Sequence, residues 1–194
     1  MARIKTFDET EVVDKAIELF TARGYNGTSA QDIVDTLGIS RSSLYDTFGD
    51  KQGLFIKALK QYNQQSFRGI IEMLNQTSDF PATLRQIFIQ VVEMNLLMGS
   101  EGGCLMINSS IELATHDKAV GVLVRESMQA VEDAFFVAIT KAQKKGSINH
   151  QHSARSLARF FHNTLIGLRI MAKTGASKRT FEDIVKLALF LVET

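Results

Sequence analysis

A single cysteine, Cys104, and a single proline, Pro81, are all that the 194 residues carry of either type. One thiol excludes an internal disulfide framework and points to a reducing compartment. One proline, with few alternating β-branched runs, leaves long stretches of chain free to be helical. No run of about 18 apolar residues occurs, so no membrane span is expected. The N-terminal MARIKTFDET has basic residues with no apolar stretch behind them, and a signal peptide is not expected either. The expected location is the cytoplasm. Neither sign of charge dominates, with 22 Lys and Arg against 21 Asp and Glu, which sets the chain apart from polybasic or acidic binding tails.

What is present is apolar residues, 45% of the chain, recurring at steps of three and four almost throughout. That period predicts an all-α fold with enough chain to bury a sizeable core. A first helix is expected from Asp8 to about Arg23, capped by Asp8 with Glu11 and striped by Val12, Val13, Ala16, Ile17, Leu19 and Phe20. TSAQDIVDTLG reads as a two-turn helix with Thr28 as N-cap, Gln31 as its reciprocal partner and Gly38 as its stop. After Gly38-Ile39, Ser40 caps a third short helix, and Gly49-Asp50 turns the chain into a long fourth helix from Lys51. Breaks at Pro81, Gly102-Gly103, Asp117, Gly146 and Gly175 predict five more, with Pro81 at a first helical position and the stretch from Asp117 to Lys145 unusually long.

Two short helices joined by a glycine-containing turn form a helix-turn-helix, whose second helix enters the major groove by its N-terminal residues. That end must be free of bulky apolar side chains and rich in small hydrogen-bonding groups, which Ser40, Arg41, Ser42 and Ser43 supply. The guanidinium fork of Arg41 suits guanine O6 and N7, and the serine hydroxyls suit base edges or phosphate oxygens. Tyr45 lies one turn on, where a phenol reaches the backbone. Lys51 opens the next helix, where its ammonium and the free amides favour an anion, and Thr28 does the same from the other side of the groove. Residues 1–51 nevertheless hold six Lys and Arg against nine Asp and Glu, so modest nonspecific DNA affinity is expected. The acids Asp8, Glu9, Glu11, Asp14 and Glu18 cluster on helix one, while Arg3, Lys5, Arg41 and Lys51 lie on the arm and reading face.

The run ELFTARGYNGTSAQDIVDTLGISRSSLYDTFGDKQGLF resembles the DNA-binding domain of the TetR family of bacterial transcriptional regulators, nearly without gaps from Val13 to Phe55. The resemblance implies a homodimeric repressor. Residues 1–50 would form the helix-turn-helix domain on a palindromic double-stranded operator, and residues 51–194 a larger helical domain that binds an inducer and dimerises through its last two helices. Family phosphate contacts map onto Thr28, Tyr45 and Lys51, and base contacts onto Gln31 and Ser40 to Ser43, with Thr47 sharing the edge. Gln31 stands where relatives often carry arginine, and Asp46-Thr47 where an aromatic or histidine is common, so base preference is expected to differ.

In the C-terminal part, SARSLARFFHNTLIGLRIMAKTG and RTFEDIVKLALFLVET are apolar on more than one face, as helices that pack inward on one side and onto a partner subunit on the other. Ordinary core is the alternative. GSEGGCLMINSSIEL sets Cys104 in the first turn of a helix, where the positive helix end stabilises a thiolate. This Gly-Cys start resembles a subgroup of TetR-like proteins, some of which sense reactive electrophiles through that cysteine; a buried space-filler is the plainer reading. Met98, Met106 and Phe161 are candidates for an apolar pocket with His162 as a polar handle, or simply core. An apolar or electrophilic inducer would suit them. No cofactor and no metal are expected, since HQH lacks the further ligands a zinc site requires. Two rivals remain open at this level: a helical enzyme with Cys104 as nucleophile, and a TetR-like activator or chromosome-organising factor.

Overall fold

The computed structural model describes residues 7–98 and 103–192, apart from the side chains of Asn95, Leu96 and Met98, and Arg3 and Lys5 lie outside it. The described residues are helical and turn, with no strand. In chain order the helices are α1 (Glu9–Arg23), α2 (Ala30–Leu37), α3 (Arg41–Phe48), α4 (Lys51–Gln76), α5 (Phe80–Met98), α6 (Leu105–Glu112), α7 (Lys118–Lys144), α8 (Ala154–Lys173) and α9 (Lys178–Phe190).

Local chemistry sets the ends. Asp8 caps α1 by accepting from the amides of Thr10 and Glu11 at 2.7 and 3.3 Å. The N-cap of α2 is Ser29, one residue later than the spacing predicted. Its hydroxyl accepts from the Asp32 amide at 3.1 Å while the Asp32 carboxylate takes the Ser29 amide at 2.8 Å, a complete capping box. Thr28 is displaced from that role because its hydroxyl already donates to the Gly24 carbonyl at 2.7 Å. Gln31 faces outward and donates to Asp35 at 2.8 Å. Pro81 is likewise the second residue of α5 and not the first, Asp79 capping the helix through the Ala82 amide at 3.1 Å. Asp117 opens α7 by accepting from Ala119 and Val120, as its position before the long apolar stretch suggested.

Packing divides the chain into two compact units that do not follow chain order: residues up to Gln65 join Cys104–Val124 in one, and Ser66–Gly103 join Arg125 onward in the other. The first unit buries one stripe of α1 (Val12, Val13, Ala16, Phe20) with Ile33, Leu37, Leu44, Leu54 and Phe55. Phe20 and Phe55 meet edge-on, ring centroids 5.0 Å apart, and Tyr25 leans on Phe55 at 4.9 Å. Two acids of α1 are tied to α4: Glu9 pairs with Lys57, and Asp14 accepts from Gln61 and Gln65 at 2.7 and 3.0 Å. Part of the negative charge of this unit is therefore spent internally. The second unit centres on Phe161 of α8, which touches Phe80, Phe88 and Phe135 at centroid distances of 6.0, 6.3 and 6.4 Å.

Candidate nucleic-acid interface

Gly38 ends α2 in the left-handed region (φ 68°, ψ 27°), a conformation that costs a residue with a Cβ, and so lets α3 start after only Ile39 and Ser40. Ile39 and Leu44 are buried and pin α3 to α2 from below. The opposite side carries the small polar residues. Ser40, Arg41 and Ser42 are exposed, Ser43 half-buried. The Ser40 hydroxyl accepts from the Ser43 amide at 3.1 Å and lies 2.9 Å from both the Ser42 and Ser43 hydroxyls, so three hydroxyls form one cluster at the helix start. Arg41 is the first helical residue and directly follows the Ser40 cap. Tyr45 is 48% exposed one turn later, and Thr47 is half-buried at the end of α3.

Thr28 and Lys51 occupy a different kind of place. Thr28 is 1% exposed, and its hydroxyl is engaged with Gly24. The Lys51 ammonium donates to the Thr28 carbonyl at 2.6 Å and lies 4.0 Å from the centre of the Tyr25 ring. Desolvation, only partly offset by the charge of Glu112, lowers the pKa of Lys51 from its ordinary value. Lys51 thus braces the α1–α2 loop through Thr28, and one of its three ammonium donors is already used inside the protein. Asp50 caps α4 through the Gly53 amide at 2.7 Å.

Contacts absent from the sequence reading come from α6, whose residues are remote in the chain. Asn108 donates to the Thr21 carbonyl at 3.1 Å, and Glu112 accepts from the Asn26 amide at 3.0 Å. Their spacing of four puts both on one helix face, which is the only trace they leave in the sequence.

The candidate sensing residues fall into the two units separately. Cys104 is the N-cap of α6 (φ −122°, ψ 114°) and not a first-turn residue, because the chain is still extended there. It is 2% exposed, and Met106 beside it is fully buried; both belong to the first unit. Phe161 and His162 are in the core of the second. His162 is 8% exposed, its Nε2 has no hydrogen-bond partner, and burial lowers its pKa below the ordinary 6.5, with Glu132 opposing and Arg169 adding to that shift. Met98 ends α5, and its side chain is outside the described residues. The second unit also carries an open groove of about 900 Å³ between α5 and α9, floored by Ile89, Val92, Phe181, Val185 and Leu189, which neither Phe161 nor His162 lines.

Comparison with known proteins agrees with this geometry. Residues 12–58 match the family described as bacterial regulatory proteins, tetR family, and residues 82–187 match the tetracyclin repressor-like C-terminal domain. The uncharacterized HTH-type transcriptional regulator YezE of Bacillus subtilis is 35% identical over 196 residues, covering 100% of both chains. The chain belongs to the TetR family. Within it, the HTH-type transcriptional repressor ComR of Escherichia coli is 26% identical over 190 residues, 97% of this chain and 90% of ComR. The fold is that of a cysteine mutant of the TetR-family regulator CifR complexed with 26-bp double-strand operator DNA, with a TM-score of 0.85 at 23% identity, covering 98% of this chain and 100% of that one. TetR-family proteins are DNA-binding transcriptional regulators, and among the described residues of this member no helix is long and apolar enough to cross a membrane.

Proposed function

We propose that this TetR-family regulator is a ligand-responsive cytoplasmic repressor that binds a palindromic operator as a homodimer. The observation that carries the reading is the start of α3, where Arg41 and a cluster of three serine hydroxyls stand exposed above a buried Ile39–Leu44 anchor. Arg41 reads a guanine, Ser40, Ser42 and Ser43 share base edges and phosphates, and Gln31 and Thr47 flank them. Tyr45 takes a phosphate. Lys51 offers its two remaining donors to another, with Thr28 holding it in place. Residues 1–50 supply this recognition surface, and residues 51–194 the sensing and dimerising part.

The homodimer forms through α8 and α9, which leave Phe160, Ile170, Leu187 and Phe190 exposed after the second unit has closed its core. An inducer, or modification of Cys104, shifts the population of a two-state dimer and changes the separation of the two reading helices. They then fall out of register with half-sites spaced by about one helical turn, roughly 34–36 Å, or a multiple of it. Met98, Met106, Phe161 and His162 are the apolar and polar groups offered to an inducer. The deciding experiment is selection of bound sequences from a random duplex pool, with and without a thiol-reactive compound. A palindrome recovered only without the compound supports both parts of the reading, one recovered in both assigns control to a noncovalent inducer, and no enrichment defeats the repressor.

A further inference from the structure

Helix α6 packs against α1 in the compact unit that also holds α2 and α3, although about 80 residues of chain lie between α1 and α6. Its contact is polar and specific. Glu112, the last residue of α6, takes the Asn26 amide at 3.0 Å in the middle of the α1–α2 loop. Gly24, at the start of that loop, has φ +73°, and a Cβ there would collide with the Glu112 carboxylate. The Glu112 carboxylate thus lies directly against the backbone at the start of this loop. One turn earlier, Asn108 holds the Thr21 carbonyl at 3.1 Å, and just past α6 Asp117 takes a hydrogen bond from Gln52.

The loop that Glu112 grips leads directly into α2. Its residues pass the constraint on directly: Thr28 bonds back to Gly24, Ser29 caps α2, and the Thr28 carbonyl receives Lys51 from the first turn of α4. Glu112 also acts electrostatically on Lys51. α2 in turn carries α3 through Gly38.

We propose that Glu112 is a positioning residue for operator binding, through which α6 sets the pose of the α1–α2 loop and hence of α2 and α3; this rests on the DNA-reading face proposed above. Glu112 touches no DNA. Removing it leaves the exposed face of α3 chemically intact but lets the two reading helices of a dimer depart from operator register. The loss therefore falls on the operator and spares random duplex, where register carries no value.

The test uses the full chain with the selected operator and a scrambled duplex, with amide exchange at Asn26 followed by NMR. Glu112→Ala is expected to weaken operator binding about tenfold, within the range typical of coupling between sites, with scrambled-duplex affinity unchanged and the Asn26 amide exchanging faster. Glu112→Gln keeps a side-chain oxygen for Asn26 and is expected to restore most of the affinity. Should the alanine variant fail to fold, Glu112→Asp, too short to reach Asn26, is compared with Glu112→Gln and is expected to show the same selective loss. Unchanged operator affinity despite faster Asn26 exchange overturns the proposal, and so does an equal loss on operator and scrambled DNA. A wild-type protein that prefers no duplex defeats the DNA-reading face itself, an outcome distinct from either.

Discussion

Lys51 donates to the carbonyl of Thr28 at 2.6 Å, joining the first turn of α4 to a loop 23 residues earlier in the chain. The same ammonium lies over Tyr25, so a cation placed at a helix start, where it suits a phosphate, is also a structural clamp. Lys51→Ala is therefore expected to show two losses. Urea unfolding should report a stability lower by about 1.5–3 kcal/mol, the range for a charged hydrogen bond. DNA affinity should fall on all sequences alike, with the salt slope reduced by about 1 if one phosphate contact is lost. An unchanged slope would confine Lys51 to the clamp.

The cap of α2 lies one residue beyond where the spacing of Thr28 and Gln31 predicted it. Ser29→Ala should cost about 0.5–2 kcal/mol, since it removes the hydroxyl that takes the Asp32 amide. Gln31→Ala should be near neutral in stability, because its amide meets only Asp35 on an exposed face. Comparable losses for the two variants would contradict the Ser29–Asp32 box.

That one-residue offset marks the limit of what the sequence could say. Helix number, the long α7 and the turn at Gly38 were legible because period, caps and glycines are local signals. At the start of α2 the pattern is ambiguous: Thr28 and Ser29 stand side by side with Gln31 and Asp32 three residues on from each, so two capping frames fit the sequence equally well. The Thr28 hydroxyl is diverted to Gly24, a tertiary preference that no propensity encodes. Glu112 and Asn108 were invisible for a stronger reason: their partners Asn26 and Thr21 lie 86 and 87 residues away. Ile170 and Leu187, by contrast, gave away unburied apolar faces through helical period alone, though period could not say which face stays outside.

His162 makes stability depend on pH. Burial holds its folded pKa below 6.5, so between that value and 6.5 the unfolded chain binds a proton the folded chain does not. Its contribution is complete above about pH 6.5 and is lost as pH falls toward the folded pKa. Urea midpoints measured from pH 7.5 to 5.5 (about one unit either side of 6.5) should drop more for the wild type than for His162→Leu. Parallel curves would mean that His162 titrates alike in both states.

Arg41 is exposed at the start of α3. If it forks onto a guanine, Arg41→Ala should lower discrimination between the operator and its single-base variants at one position by about 1–3 kcal/mol while random duplex binding changes less. Competition binding with operator and scrambled duplexes reads this directly. Equal weakening on both would reduce Arg41 to a phosphate contact.

Leu187 and Phe190 of α9 are 71% and 76% exposed, large apolar side chains on a helix whose other face, through Phe181, Ala188 and Leu189, is already buried. A partner helix packed on them would bury about 1.5–3 kcal/mol worth of transfer free energy per side chain, twice over in a two-fold interface. Leu187→Glu replaces that gain with a buried, unpaired carboxylate in each copy, a change far larger than any effect on the fold of one subunit, since the position is open to water there. Light scattering should then find a monomer where the wild type is a dimer, with an unchanged helical circular dichroism spectrum. Operator affinity should collapse to that of a single half-site, because two reading helices no longer bind as one. A Leu187→Glu protein that remains dimeric would move the interface off this face of α9 and leave Leu187 an ordinary exposed residue.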